Sequence, residues 1–383
     1  MANTTTSSPV DRFVDHLEPV TIPFCFELED GSTRMVGEGE PRFRITIRND
    51  RALKALASVD EGNFAEAYLR GDLDIDGQML EPFAFRASLN DRHPLVACWR
   101  FIQPLLFGQV YTNKQAISSH YDVDPSLFLA FLDKEQPAYS QGIYENDDET
   151  LAVALARKFD YCLEKCAPGA GNRILEIGPG WGAFARYALD RGNEFVGITN
   201  SQVSQTYLTE KLSEFGDRSN IILTDFLEYE PDEKFDAIVI MGVIEHLPNY
   251  EQVLTRFARL VKPGGYVFLD GSAARKKYEL STFMVRHIYP GNHSFLVLHD
   301  FMEKLAKSPF EPIEIQNDRY SYYLTFKQWA INLDKEKDFI QKEFGDFEFR
   351  KFRLYLWGAA YEFLSRSLEC YRLILQLPED AAE

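Results

Sequence analysis

The chain has no uninterrupted apolar run of the roughly 18 residues that a membrane-spanning helix needs. Its opening, MANTTTSSPVDRF, has neither the basic flank nor the apolar centre of a secretory signal. The expected compartment is therefore the cytoplasm. Cysteine is scarce: Cys25, Cys98, Cys162, Cys166 and Cys370 are scattered over 383 residues, which excludes the dense, even framework of a disulfide scaffold. Cys162 and Cys166 lie one helical turn apart with no neighbouring His or Cys to complete a metal site, so packing is expected there and no metal. Positive charge is also short, with 41 Lys and Arg against 59 Asp and Glu and a net charge of −18. Such a field repels phosphate backbones and anionic headgroups, so no nucleic-acid partner is expected and membrane contact is at most peripheral, through a local stretch such as Arg275-Lys276-Lys277. Internal repeats and low-complexity blocks are missing.

What is present is an ordinary globular composition, 45% hydrophobic and 26% charged, in a chain long enough for an enzyme core plus an accessory domain. PRFRITIRN alternates as a strand, RALKALAS has helical spacing, and NFAEAYLRGDLDIDG reads as a short helix ending at Gly71 before an acidic segment closed by Gly77. Nothing in that stretch looks catalytic. Helical patterns follow to about residue 165. From Arg173 the pattern changes to short apolar runs, RILEIG, NEFVGIT, NIILTD, FDAIVIMG and YVFLDG, separated by helical stretches. This alternation predicts a doubly wound, mostly parallel α/β sheet of Rossmann-like type. A long helical pattern runs from Phe352 to Leu377.

The strongest motif is ILEIGPGWGAFARYAL, a strand leading through Gly178, Gly180 and Gly182 into a helix. Glycines at these positions allow a tight turn and close approach of a ligand to the backbone. A dinucleotide fold usually shows G-x-G-x-x-G, whereas here an acidic residue, Glu176, precedes G-x-G-x-G, the arrangement of S-adenosylmethionine enzymes. Glu176 is expected to accept from the cofactor's ammonium through water or backbone. Thr199 closes the second strand, where a ribose hydroxyl partner belongs. Asp225 follows the third and can accept from an adenine amino group, with Phe226 beside the ring. VKPGGYVFLDG supplies a structural turn into the fifth strand.

These residues, together with FAEAYLRGDLDIDG, HYDVDPSLFLAFLD, AYSQGIY, EIGPGWGAFA, MGVIEHLP, HIYPGN, YYLTFKQW and WGAAYEFLSRSLECYRLILQLP, resemble the cyclopropane fatty acid synthase family, over most of the chain. The resemblance implies a class I methyltransferase core over residues 111–383, with a lid insert over about 275–330 and a carboxyl-terminal helix, behind an amino-terminal accessory domain over 1–110. It also implies methyl transfer from S-adenosylmethionine to a weak nucleophile, often an alkene carbon. By that resemblance Tyr139 and Ser140 hold the methionyl carboxylate of the cofactor, Glu245 is the active-site carboxylate, and Tyr322 is the lid tyrosine. His246 is a further candidate whose alternative is a structural role.

Two positions depart from the family pattern. Gln141 stands where a cyclopropane synthase has Cys, and Asp270 where it has His; in that family Cys, Glu, His and Tyr gather a bicarbonate ion that acts as the base. Asp270 is expected near Glu245, where two carboxylates would repel an anion and share a proton or recruit a cation. In the ribose region, Ser204 replaces the family's Gln, with Gln205 one step later. The expected activity is transfer of a methyl or methylene group to an unsaturated carbon of a lipophilic acyl chain or small molecule, with an altered bicarbonate site and with Asp270, Glu245, Gln141 and Tyr322 in the catalytic set. N-methylation of a small amine and a non-catalytic cofactor-binding role are the alternatives, and a homodimer stays open.

Overall fold

The computed structural model describes residues 8–17, 20–91, 124–277, 280–289 and 293–380. Two groups of elements emerge. The amino-terminal group contains α1 (Pro9–His16), β1 (Phe24–Glu27), β2 (Thr33–Val36), β3 (Phe43–Ile47), α2 (Asp50–Ala57), α3 (Glu61–Leu69) and β4 (Leu73–Gly77). Its sheet order is β2-β1-β3-β4. The acidic LDIDG segment thus forms a strand, pairing antiparallel with β3, and Gly71 turns the chain between helix and strand at φ 72°, a conformation that favours glycine. The boundary expected near residue 110 lies outside the described residues, as do residues 120–123 of HYDVDPSLFLAFLD and 290–292 of HIYPGN.

The second group comprises α4 (Pro125–Phe131), α5 (Leu151–Cys166), β5 (Arg173–Ile177), α6 (Ala183–Asp190), β6 (Glu194–Thr199), α7 (Gln202–Lys211), β7 (Ser219–Leu223), β8 (Phe235–Met241), α8 (Tyr250–Leu260), β9 (Val261–Ala273), α9 (Leu298–Leu305), β10 (Glu311–Asn317), α10 (Arg319–Lys335), α11 (Lys337–Phe344), α12 (Asp346–Ser365) and β11 (Glu369–Gln376). The sheet order is β10-β11-β9-β8-β5-β6-β7. All five apolar runs expected as strands are strands, parallel from β7 through β9, and their central members are buried on both faces, as crossover helices require. Ser201 and Asn249 cap α7 and α8 by accepting from backbone N–H groups, each worth about 1 kcal/mol. The chain winds outward from β5 to β7 and returns at β8 beside β5, so the crevice opens at their carboxyl ends.

The carboxyl-terminal pattern is not one helix. The helix stops at Ser365, Arg366 takes a left-handed φ of 68°, and Glu369–Gln376 runs antiparallel to both β9 and β10. The reason is tertiary: LILQL has apolar spacing that suits helix or strand, and the slot between β9 and β10 selects the strand, anchored by the buried Arg372–Asp318 pair at 2.9 Å. Within residues 275–330, expected as a lid insert, Glu311–Asn317 is the sheet's edge strand and α10 begins at Arg319. The covering layer is α10 to α12. α12 also joins the two groups: Arg353 donates to Asp334 on α10 at 2.7 Å and to the Ile75 carbonyl of β4 at 3.0 Å.

Candidate active site

The turn after β5 is built from three glycines of positive φ, 71° at Gly178, 54° at Gly180 and 80° at Gly182. Their roles differ. A Cβ at Gly178 would lie 2.7 Å from a Val243 methyl and one at Gly182 2.5 Å from Leu208, so these two are close-packing positions. A Cβ at Gly180 would meet nothing within 4 Å, because it faces open space in a cavity of about 130 Å³. Gly182 is not among the described residues lining that cavity; it stands at the amino end of α6.

Tyr139, Ser140, Glu176, Gly178, Gly180, Thr199, Asp225 and Phe226 do line this cavity. Asp225 accepts from the Leu227 N–H at 2.8 Å and from Asn200 at 2.9 Å, which orients its carboxylate, and Thr199 accepts from the Ser201 N–H at 3.1 Å. Asn200 and Ser204 line the cavity too. Ser204 donates to the Gly180 carbonyl at 2.9 Å, whereas Gln205 reaches toward Ile221 and Gln202. The loop carrying Tyr139 and Ser140 is pinned by α10, whose Thr325 hydroxyl accepts from the Gly142 N–H at 3.0 Å. Glu176 is buried, one of its oxygens has no hydrogen-bond partner among the described residues, and burial pushes its carboxyl up to about 8, against the pull of Lys158. An unpaired carboxyl oxygen, an open Gly180 cradle and an oriented Asp225 fit the ammonium, the amino-acid chain and the adenine of S-adenosylmethionine.

A second cavity of about 340 Å³ abuts the first, and Tyr139, Gly242 and His246 line both. Glu245 and Tyr322 line the second. Glu245 sits in a single helical turn after β8, and its approach depends on Gly271, where a Cβ would lie 2.5 Å from Ile244 and 3.3 Å from the Glu245 carboxyl. One Glu245 oxygen accepts from the Ser272 N–H at 2.7 Å; the other is buried with no hydrogen-bond partner among the described residues. Burial raises this carboxyl to about 7, with Asp270 adding to the rise. Burial likewise lowers His246 to about 4, which keeps its ring neutral, and lifts the Tyr322 hydroxyl far above its usual value. Tyr322 packs against Phe326 and Phe363 at 4.7 and 4.6 Å between ring centroids, and Tyr289 stacks on His293 at 4.2 Å.

Asp270 and Gln141 were expected in the catalytic set, with Asp270 near Glu245, on whose carboxyl its charge does act. Neither is among the described residues lining either cavity. Asp270 points to the α5 side of the sheet, where it accepts from the Gly242 N–H at 3.0 Å and pairs with the Lys158 ammonium at 3.4 Å. Of the two outcomes expected of neighbouring carboxylates, a shared proton or a recruited cation, a cation stands beside Asp270, the Lys158 ammonium. Gln141 is buried, its amide nitrogen without a partner among the described residues.

The sequence reading also missed the far wall of the larger cavity. Phe64, Ile75, Phe83 and Leu89 line it from the amino-terminal part of the chain, Phe83 against Tyr361 and Gly358 of α12, and Arg86 bridges Glu61 and Glu362 there. No local motif marks these residues, since only docking of α12 brings them to the site. Lys158 was missed as well, although the sequence carries a signal for it. It falls in the stripe Leu151, Ala154, Leu155, Lys158, Phe159, Cys162, Leu163 and Cys166, all buried, where helical spacing calls for an apolar residue.

The family model for mycolic acid cyclopropane synthetase matches residues 109–373, and one for a domain of unknown function matches residues 16–85. A Pseudomonas putida protein named "Probable fatty acid methyltransferase" is 25% identical, over 94% of each chain. The sphingolipid C9-methyltransferase of Komagataella phaffii is 23% identical, over 82% of this chain and 69% of its own. Among solved structures, a mycolic acid cyclopropane synthase complexed with S-adenosylhomocysteine superposes with a TM-score of 0.63 at 23% identity, covering 69% of this chain and 98% of that one. Its likeness is one of fold.

Proposed function

Because this chain belongs to the mycolic acid cyclopropane synthetase family and is an S-adenosylmethionine-dependent methyltransferase, we propose that it adds a methyl or methylene group to an unsaturated carbon of a lipophilic acyl chain. The cofactor, when bound, supplies an electrophilic methyl group. The observation that carries the reading is a carboxylate oxygen without a partner, on Glu245, inside a mostly apolar cavity that adjoins the cofactor cavity. An alkene carbon that gains a methyl group leaves a cation on its neighbour, which must lose a proton. Glu245 is the acceptor of that proton: held near 7 by burial, it is partly ionised at neutral pH and basic enough to work as a general base. Loss of the proton from the added carbon closes a ring; loss from a chain carbon gives a methyl branch. Tyr139, Tyr289 and Tyr322 exclude water and turn aromatic surface toward a cation. A cavity of about 340 Å³ suits a segment of acyl chain, and two relatives carry fatty acid and sphingolipid in their names. Gln141 and Asp270 stand where the family's bicarbonate site has Cys and His, and neither is among the described residues lining this cavity, so on this reading Glu245 serves without bicarbonate.

The test is incubation of the enzyme with methyl-labelled cofactor and a mixed lipid and amine extract, followed by mass spectrometry. Label is expected in acyl chains, and label in an amine alone would overturn the reading. Glu245→Gln is expected to lower turnover about a hundredfold or more with cofactor affinity kept. Loss of native activity in carbonate-free buffer, restored by bicarbonate, would refute Glu245 as the unaided base.

A further inference from the structure

Lys158 takes part in none of these steps, yet its side chain is fully buried. Removing an ammonium from water is heavily penalised unless its surroundings repay it. Here it donates to the Ser140 hydroxyl at 2.6 Å and to Asp270 at 3.4 Å. The other oxygen of Asp270 accepts from the Gly242 N–H at 3.0 Å, and the Asp270 carbonyl accepts from the same N–H at 3.1 Å. Ser140 lines the cofactor cavity, and Gly242 lines both cavities, three residues before Glu245. One buried cation thus ties together the two segments that meet where the cavities join.

We propose that Lys158 is a positioning residue for methyl transfer: from behind the shared wall it clamps the Tyr139–Ser140 loop to the Gly242 turn through Asp270, fixing donor and acceptor cavities relative to one another. The inference rests on the assignment of the smaller cavity to the cofactor. The same ammonium has a second effect there. Glu176 is buried with one oxygen unpartnered among the described residues; the charge of Lys158 lowers its carboxyl and that of Asp270 raises it, and because Asp270 pairs with the same ammonium, Glu176 is incompletely compensated. A cationic ligand completes the balance and favours the ionised carboxyl, so cofactor affinity should rise with pH as Glu176 loses its proton. Lys158 sets where that rise occurs, because removing the cation makes the proton harder to lose.

The experiment measures affinity for S-adenosylmethionine and S-adenosylhomocysteine by titration calorimetry between about pH 6 and 9, with thermal melting as the check on folding. Native enzyme is expected to bind more tightly as pH rises. Lys158→Gln, which keeps a donor toward Ser140 but not the charge, is expected to bind at least about tenfold more weakly at neutral pH and to shift the rise to higher pH. Lys158→Met with Asp270→Leu replaces the buried pair by apolar groups of similar size, a change that folds more readily than either single loss; it should melt near the native temperature and still bind poorly. A pH-independent affinity in the native enzyme, or native affinity and pH profile in either variant, overturns the proposal. Failure of the native enzyme to bind either ligand would instead refute the cofactor cavity itself.

Discussion

Glu176 and Glu245 start from an ordinary value of 4.5 and are raised, chiefly by burial, to about 8 and about 7. The folded state therefore holds these protons more tightly than the unfolded chain does. Their contribution to stability is complete below 4.5 and is lost as pH rises through about 7 and then about 8. His246 works in the opposite sense, since its folded value of about 4 lies below the ordinary 6.5, but above 6.5 its term is constant. Salt-bridged carboxylates such as Glu149, held at about 2 mainly by Arg157, titrate far below this window. The melting temperature of the ligand-free enzyme is thus expected to fall between about pH 6.5 and 8.5 on account of these two groups. Glu245→Gln should flatten the lower part of that fall. A variant curve that keeps the native slope would mean that Glu245 does not carry the proton.

At the scale of elements, α12 supplies Leu354, Tyr355, Gly358, Ala359, Glu362 and Phe363 to the wall of the larger cavity. Its Gly358 faces Phe83 of the amino-terminal group, where a Cβ would sit 3.0 Å from the ring edge. A leucine there gains about 0.8 kcal/mol of helix propensity but meets overpacking that typically costs about 1–3 kcal/mol. The adjoining cavity gives the side chain somewhere to go. Gly358→Leu should therefore melt within a few degrees of the native protein and keep its cofactor affinity, while turnover of long-chain acceptors falls. Steady-state kinetics with acceptors of graded length is the check; unchanged rates across the series would remove the amino-terminal wall from the substrate site.

Over the whole molecule, charge and shape pull in different directions. A net charge of −18 opposes approach to anionic lipid, although the acyl-chain substrate proposed above needs access to the apolar cavity. No helix among the described residues is long and apolar enough to cross a membrane. The basic stretch at Arg275–Lys277 is already partly spent, because Lys277 donates to the Pro248 carbonyl at 2.9 Å. Sedimentation with anionic vesicles at physiological salt is therefore expected to be weak. Strong, salt-sensitive binding would require a local basic face that outweighs the net field.

The sequence by itself determined the parallel core and the cofactor turn, because both are local. A strand passing through G-x-G-x-G into a helix needs only its own residues to be recognised, and the five apolar runs carry their own periodicity. It also singled out Glu245 and Tyr322, by resemblance, and the structure brings both to one cavity. Tertiary structure alone decided the rest. Leu373 to Gln376, read as the end of a long helix, form a strand in the slot between β9 and β10. The charge state around Asp270 depended on Lys158, 112 positions away. The wall of the larger cavity opposite α12 includes Phe64 and Phe83, which no motif connects to Glu245. Such contacts join residues distant along the chain, so local pattern, which records only what a segment prefers by itself, could not contain them.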